Sequence, residues 1–464
     1  MATETTYDVF IIGGGQAGIP LAWGLAGAGK RVALAERKDL GGSCVNFGCT
    51  PTKAAIASAR VAHQARRAVE YGLQIPEVGV DFPAVLARAR RVAYESRQGL
   101  DTGFEQTENP RLIRGHARFE GRAEAGFRVR VGAESLLAKQ VVLNTGTRSY
   151  LPPIAGLAEA NALHAGNWLD RPELPTHLVV LGGGYIGLEM GQFYRRMGSE
   201  VTILENGPRL IAREDEDVSG ALQALLAAEG VRFRFQTRLT QVMQDEGLRL
   251  QVEANGAPEE IHASHLFVAT GRVPNTDDLG LETVGVACAE HGYIQVDERL
   301  ATTVDGIWAA GDMRGGPLFT HTSWDDNRIL MSQLTGDGKR TTHRIVPYAV
   351  FTDPELGRVG MTEAEARRSG KRIKVARFEM KRNGKAAEIG EAEGFIKVIA
   401  EAESGQLLGA AALCAEAAEL VHLYIDLMNA GAPYTVIRDA IHIHPTLAEA
   451  AQSAIAALDT AAID

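Results

Sequence analysis

No long basic block occurs in this sequence, and its formal net charge is -10 at pH 7. The electrostatic footprint of nucleic acid or of an anionic membrane is missing, and neither partner is expected. No apolar run reaches the length of a membrane span. Met1 to Thr6 is short and polar and passes directly into the apolar run Tyr7 to Ile12, leaving no room for a cleavable leader. The cytoplasm is the expected location. Cysteine is also scarce, with 4 in 464 residues. Cys288 and Cys414 stand far from each other and from the other two, and read as ordinary, mostly buried thiols. What is left is an ordinary soluble composition, long enough for roughly two to four domains and a sizeable core.

The other two cysteines share the stretch Gly41-Gly42-Ser43-Cys44-Val45-Asn46-Phe47-Gly48-Cys49-Thr50-Pro51-Thr52-Lys53, just ahead of an alanine-rich run of helical character. Cys44 and Cys49, on the first turns of a helix, can close a disulfide without large backbone movement, and the helix dipole favours a thiolate there. A structural staple is unexpected in such a chain, and half a zinc site needs further ligands nearby. A reversible redox pair is the expected reading, with no metal site. Pro51 suits the opening of a helix through Ala54 to Ala68.

Val9 to Ile12 reads as a buried strand, followed by Gly13-Gly14-Gly15-Gln16-Ala17-Gly18, a helical stretch from Ile19, and a second apolar run ending in Glu36. This order is the dinucleotide-binding fingerprint. Gly13 permits the turn, Gly15 lets a pyrophosphate approach the backbone, Gly18 lets helix and strand pack closely, and Glu36 can accept from a ribose hydroxyl. At His177 the pattern begins again, with a strand, Gly182-Gly183-Gly184-Tyr185-Ile186-Gly187, a helix, and a strand ending in Glu205. The interval from Gly182 to Glu205 equals that from Gly13 to Glu36, which argues for two nucleotide sites on one chain. Gly182, Gly184, Gly187 and Glu205 would serve the second. Glu205 accepts from a free ribose and repels a 2'-phosphate, favouring NAD(H) over NADP(H). Arg209 and Arg213 nearby can face solvent or pair with Glu214 and Glu216.

The amphipathic run from Phe82 to Phe104 carries Arg88, Arg90, Arg91 and Arg97, read as a solvated, ion-pairing face. Arg111 to Val142 suggests a small antiparallel insertion and closes on Asn144-Thr145-Gly146, and Leu151 to Gly156 looks like a connection between domains. The segment Ala269-Thr270-Gly271-Arg272 echoes that closing motif, so Thr145, Gly146, Gly271 and Arg272 join the expected cofactor-binding set. An apolar strand ends in Gly311-Asp312, where the acid is placed to accept from a sugar or polyol hydroxyl or to cap a helix. From Arg344 the chain mixes strand-like runs with helical ones, Glu416 to Ala430 among them. Near its end stands His442-Ile443-His444-Pro445-Thr446-Leu447-Ala448-Glu449. His444 suits proton transfer near neutral pH and Glu449 can orient it, although His-Pro-Thr alone is also a common loop.

With both fingerprints, the cysteine pair and His-Pro-Thr assembled, the chain from about Tyr7 to Leu458 resembles the flavin-dependent pyridine nucleotide-disulfide oxidoreductases, among them lipoamide dehydrogenase, glutathione reductase and mercuric reductase. The resemblance implies an α/β fold of two Rossmann-like nucleotide-binding domains and a C-terminal α+β dimerisation domain, in a homodimer. The FAD-binding domain would span 1–150 and return at 276–343, around an NAD-binding domain at 151–275, with dimerisation at 344–464. FAD would lie on Gly13, Gly15, Gly18 and Glu36, with its ribityl chain at Asp312. Cys49 matches the charge-transfer thiol and Cys44 the interchange thiol. Lys53 matches the lysine near the flavin N5, paired with Glu189, and Tyr185 the residue that covers the flavin in some members. His444 and Glu449 match the acid/base pair that the family supplies from the other subunit.

The expected function is electron transfer from NADH through FAD to the Cys44–Cys49 disulfide and on to a small disulfide, or the reverse with a dithiol. One alternative is a Hg(II) or Cu(II) reductase, because Phe319-Thr320-His321-Thr322-Ser323-Trp324-Asp325-Asp326 with Val346-Pro347-Tyr348 is similar to mercuric reductase. The tail Ala461 to Asp464 departs from that branch in lacking a cysteine pair, as does the absence of an N-terminal metal-binding extension. Dihydrolipoamide dehydrogenase is another, although its members usually carry Ala-His-Lys-Ala after the Gly-Asp turn. A third is an FAD-holding interaction protein with vestigial chemistry.

Overall fold

The computed structural model describes residues 6–244 and 246–463; Met1 to Thr5 and the last residue of the tail, Asp464, lie outside the described residues. The first apolar run forms β1 (Thr6–Ile12), and Gly13 turns the chain at φ +111° into α1 (Gly18–Gly27), which returns to β2 (Val32–Glu36). A Cβ on Gly18 would stand 2.2 Å from the Gly13 carbonyl oxygen, so the tight helix–strand packing needs glycine there. β1 and β2 pair in parallel, and Phe10, Ile11 and Leu34 are fully buried, as expected of strands covered on both faces. The chain continues through α2 (Gly42–Asn46), α3 (Cys49–Arg66) and α4 (Phe82–Glu105), the last capped by Asp81 accepting from Ala84 N at 3.0 Å.

Next come β3 (Arg111–Arg114), β4 (Ala117–Ala123), β5 (Gly126–Val131) and β6 (Glu134–Leu143). The expected separate antiparallel insertion is only partly present. β4, β5 and β6 are antiparallel, but β3 lies parallel to β2, and β6 runs on to pair in parallel with β1. The ten residues of β6 are long enough to belong to both arrangements.

β7 (Thr147–Ser149) and β8 (Leu163–His164) lead to the second nucleotide pattern: β9 (His177–Leu181), α5 (Tyr185–Met197), β10 (Glu200–Leu204), α6 (Glu216–Ala228) and β11 (Val231–Arg234). The meander β12 (Thr237–Gln244), β13 (Leu248–Ala254) and β14 (Ala257–Ala263) follows, and β15 (His265–Val268) completes a parallel sheet of order β11-β10-β9-β15-β8. β16 (Arg272–Pro274) pairs back with β7, β17 (Ile307–Ala309) adds to β6, and α7 (Thr320–Thr335) lies against α1.

The C-terminal part is an antiparallel sheet of order β18-β19-β22-β21-β20, built from β18 (Tyr348–Val350), β19 (Glu355–Gly360), β20 (Ile373–Glu379), β21 (Phe395–Glu401) and β22 (Leu407–Cys414). The helical run expected over Glu416 to Ala430 is parted at Val421 into Ala417–Leu420 and His422–Asn429. Cys414 is buried as expected, but Cys288 is exposed. The arginines of α4 divide: Arg91 and Arg97 pair with Glu95 and Asp39, whereas Arg88 and Arg90 donate to the Ala54 and Leu169 carbonyls and tie the helix inward. Among the described residues, no helix is long and apolar enough to cross a membrane.

Candidate active site

The two cysteines do not share one helix. Gly48 interrupts the backbone at φ -98° and ψ -117°, where a Cβ would stand 2.7 Å from the Ser43 carbonyl oxygen. Cys44 therefore belongs to the short α2, while Cys49 is the first residue of α3. Trp168 holds the connection, its Nε1 donating to the Phe47 carbonyl at 3.0 Å. One turn into α3, Lys53 Nζ lies 2.7 Å from Glu189 Oε2 on α5 and 4.5 Å from the ring centre of Phe351. Glu189 is buried, and its second oxygen accepts from Phe351 N at 2.9 Å, so the carboxylate is satisfied on both sides.

Cys44 and Cys49 are free thiols within hydrogen-bonding reach of each other. The bond donated by Cys44 lowers the Cys49 pKa to about 6 against the opposing effect of burial, helped by the Thr320 hydroxyl, 3.2 Å from Cys49 Sγ, and by the Lys53 charge. The end of α3 acts in the same direction. That same bond, burial and the neighbouring negative charge push Cys44 far above the ordinary thiol range. Of the two sulfurs, Cys49 is the one that ionises more readily.

Both thiols open on a cleft of about 1450 Å³ whose walls also carry Gly13, Gly15, Glu36, Lys53, Thr145, Gly146, Tyr185, Glu189, Arg272 and Asp312. Gly18 lies behind it, its N–H donating to Asn144 Oδ1 at 2.9 Å, and Gly311 N donates to the buried Asp326 at 2.8 Å. Asp312 does not cap a helix: it accepts from Thr147 Oγ1 at 3.0 Å and Ser323 Oγ at 3.3 Å, beside Arg272 Nε at 3.8 Å. Glu36 receives Gly14 N and Lys38 N, each at 2.8 Å, and Glu205 receives Gly183 N at 2.8 Å and Gly207 N at 2.6 Å. The two fingerprints thus repeat in contact as well as in spacing. Neither α1 nor α5 has a side-chain cap, which leaves each positive helix end open to an anionic group. Uncapped helix, acid at the strand end and polar Asp312 in one elongated cleft fit a flavin dinucleotide reaching the thiols.

Gly182, Gly184, Gly187, Glu205 and Gly271 lie outside the walls of this cleft, as do His444 and Glu449. His444 Nδ1 is 3.0 Å from Glu449 Oε1, and its side chain is 78% exposed. Thr446 N, then His444, hold the Glu449 carboxyl below its ordinary range. Arg209 lies 3.5 Å from Glu216, but Glu214 is turned away from both nearby arginines and into the protein.

Thr320 and Asn144 were not recognisable as site residues. Thr320 meets Cys49 from 271 positions away, and Asn144 links Gly18 N to the Ala310 carbonyl across the first sheet. Each lies in a segment whose sequence carries a different signal, and only the folded contacts reveal its task. Thr320→Val should raise the Cys49 titration by roughly one pH unit. The ultraviolet absorbance of the thiolate in the reduced protein measures it, and an unmoved midpoint would show that Thr320 does not stabilise the charge.

A family model described as pyridine nucleotide-disulphide oxidoreductase matches residues 7–326, and that family's dimerisation domain matches 346–455. The chain is 35% identical to the probable pyridine nucleotide-disulfide oxidoreductase RclA of Escherichia coli over 448 residues, covering 96% of this chain and 97% of the relative. It is 33% identical to the dihydrolipoyl dehydrogenase of Cupriavidus necator, covering 98% of each. A solved structure of the HOCl-induced flavoprotein disulfide reductase RclA from Escherichia coli superposes with a TM-score of 0.88 at 35% identity, covering 97% of this chain and 99% of that one. The chain belongs to the pyridine nucleotide-disulphide oxidoreductases and is an FAD-dependent enzyme of that family.

Proposed function

We propose that the protein is an NADH-linked disulfide reductase that works as a homodimer in the cytoplasm. The observation that carries this reading is the placing of the Cys44 and Cys49 thiols together on the cleft, beside the Lys53–Glu189 pair. Residues 1–150 and 276–343 hold FAD through Gly13, Gly15, Gly18, Glu36, Thr145, Gly146 and Asp312. Residues 151–275 hold the nicotinamide nucleotide through Gly182, Gly184, Gly187, Glu205, Gly271 and Arg272, and residues 344–464 pair the subunits. The bound flavin supplies two-electron transfer between nicotinamide and disulfide.

With the pair reduced, His444 of the other subunit removes the Cys44 proton, and the Cys44 sulfur attacks the substrate disulfide. The substrate S–S bond breaks as the Cys44–substrate bond forms, and the leaving thiolate takes the proton from His444. The Cys49 thiolate then displaces the second substrate thiolate from Cys44, leaving the Cys44–Cys49 disulfide, one substrate thiol and one thiolate that takes its proton from solvent. Glu449 orients His444 and stabilises its charged form. Lys53 holds positive charge close to Cys49.

Glu205 sets the nucleotide preference. Glu205→Ser should shift the ratio of kcat/KM for NADPH over NADH upward by roughly tenfold, since the carboxylate both accepts from a ribose and repels a phosphate. An unchanged ratio in steady-state assays would remove Glu205 from that role.

A second reading, Cu(II) reduction, is favoured by the Phe319 to Asp326 segment and by the solved structure of a Cu(II) complex of RclA, which matches with a TM-score of 0.86 at 35% identity. Anaerobic titration with NADH, followed by lipoamide, glutathione disulfide, Cu(II) or Hg(II) in separate cuvettes, tests both. Discharge of the reduced enzyme by a disulfide supports the first reading. Discharge by a metal ion alone supports the second, and no reduction by NADH or NADPH overturns both.

A further inference from the structure

A buried charged cluster joins the second nucleotide unit to the C-terminal sheet, and the thiol chemistry makes no use of it. Arg358 of β19 is 2% exposed, and its Nε lies 3.2 and 3.1 Å from the two oxygens of Glu214. Its Nη2 reaches Asp215 Oδ2 at 3.1 Å. Lys397 of β21 meets Asp215 at 3.0 Å, Asp217 at 2.8 Å and Glu363 at 3.2 Å. Ion pairs taken out of water gain little over well-packed apolar residues, so what they arrange matters more than what they stabilise.

Glu214 also accepts from the hydroxyl of Tyr348. The Tyr348 ring lies parallel to Phe319, at 5.6 Å between centres and 8° between planes, and Phe319 is tilted against Tyr185 at 6.1 Å. All three rings line the cleft that holds the thiols, and Phe319 directly precedes Thr320, the partner of Cys49. An aromatic shelf therefore faces the first residue of the second fingerprint helix, α5. The segment from Glu205 to Glu214 carries the ribose acceptor at one end and the anchor of this shelf at the other. Flat rings with electron-rich faces suit a planar ring that is cationic when oxidised.

We propose that the Glu214–Arg358 pair is a positioning device that, through the Tyr348 hydroxyl, sets the Tyr348–Phe319 shelf against Tyr185 and so fixes the slot entered by the nicotinamide ring. The proposal rests on the nucleotide-linked reading above. Glu214 and Tyr348 act through the shelf rather than on the reacting atoms, so their loss should be felt by the nucleotide and not by the disulfide.

The test compares Tyr348→Phe, which removes only the tethering hydroxyl, with Glu214→Gln, using the purified holoenzyme. Calorimetric titration with NAD+ gives equilibrium affinity, anaerobic rapid mixing with NADH gives the reductive half-reaction, and mixing chemically reduced enzyme with disulfide gives the oxidative one. Tyr348→Phe should weaken NAD+ binding or slow reduction by NADH about tenfold, with the oxidative half-reaction within about twofold of wild type. Where Glu214→Gln fails to fold, Tyr348→Phe decides alone. If Tyr348→Phe leaves binding and reduction unchanged, or lowers both half-reactions equally, the shelf has no positioning role. If NADPH rather than NADH reduces the wild type, the cofactor preference falls and the same comparison is made with NADP+ and NADPH. A wild type reduced by neither nucleotide overturns the functional reading and the shelf with it.

Discussion

Cys44→Ser is expected to lower disulfide turnover by on the order of a thousandfold or more. A serine hydroxyl does not ionise near neutrality and forms no bond that a second thiolate can reopen. The same variant should keep the low titration of Cys49, because a serine O–H can donate to that thiolate as the Cys44 thiol does. Cys49→Ser separates the two properties. It also stops turnover, but it removes the group that titrates at about 6. The charge on Cys49 is present above that pH and lost as pH falls through it, so wild-type resolution of the mixed disulfide should slow on the acid side. Steady-state assays with lipoamide and glutathione disulfide, run beside the thiolate titration, check both limbs. Cys44→Ser retaining more than about a tenth of wild-type turnover would end the assignment of Cys44 as attacking thiol.

The parts legible in the sequence are those whose cause is local. The repeat of glycines and acids could be read because the last glycine of each fingerprint answers a backbone approach within the same turn: an added Cβ would stand 2.2 Å from the Gly13 carbonyl oxygen at Gly18 and 2.0 Å from the Gly182 carbonyl oxygen at Gly187. The cysteine stretch was legible as a redox pair, but its division between two helices was not, since a glycine between two helix-compatible segments does not announce the sharp turn taken at Gly48. Contacts between distant polar groups leave no period behind. Glu214 read as a partner for nearby arginines, yet its partner is Arg358, 144 positions on, in the C-terminal sheet. Thr320 and Asn144 are likewise defined by what the fold brings to them. Cys288 was misplaced for a simpler reason: it lies in irregular chain between strands, where no hydrophobic period reports burial.

His444→Gln should slow disulfide turnover by about a hundred- to ten-thousandfold, the range that a general acid/base contributes. The need for a base lies at Cys44. Its proton is held by Cys49 and by burial, so the attacking sulfur requires a base, whereas Cys49 requires none. The deficit should therefore shrink as pH rises and hydroxide takes over the task. Glu449→Ala should cost less, roughly tenfold, because it removes orientation and charge stabilisation but leaves the imidazole. The exposed imidazole, outside the walls of the thiol cleft of its own chain, is in the position of a residue offered to a second subunit. Mixing Cys44→Ser with His444→Gln chains under subunit exchange gives a direct check. Random pairing makes half the dimers mixed, each with one intact site, so roughly a quarter of wild-type activity should return. Exchange that is verified by mass yet restores nothing would mean that His444 does not serve the partner's cysteines.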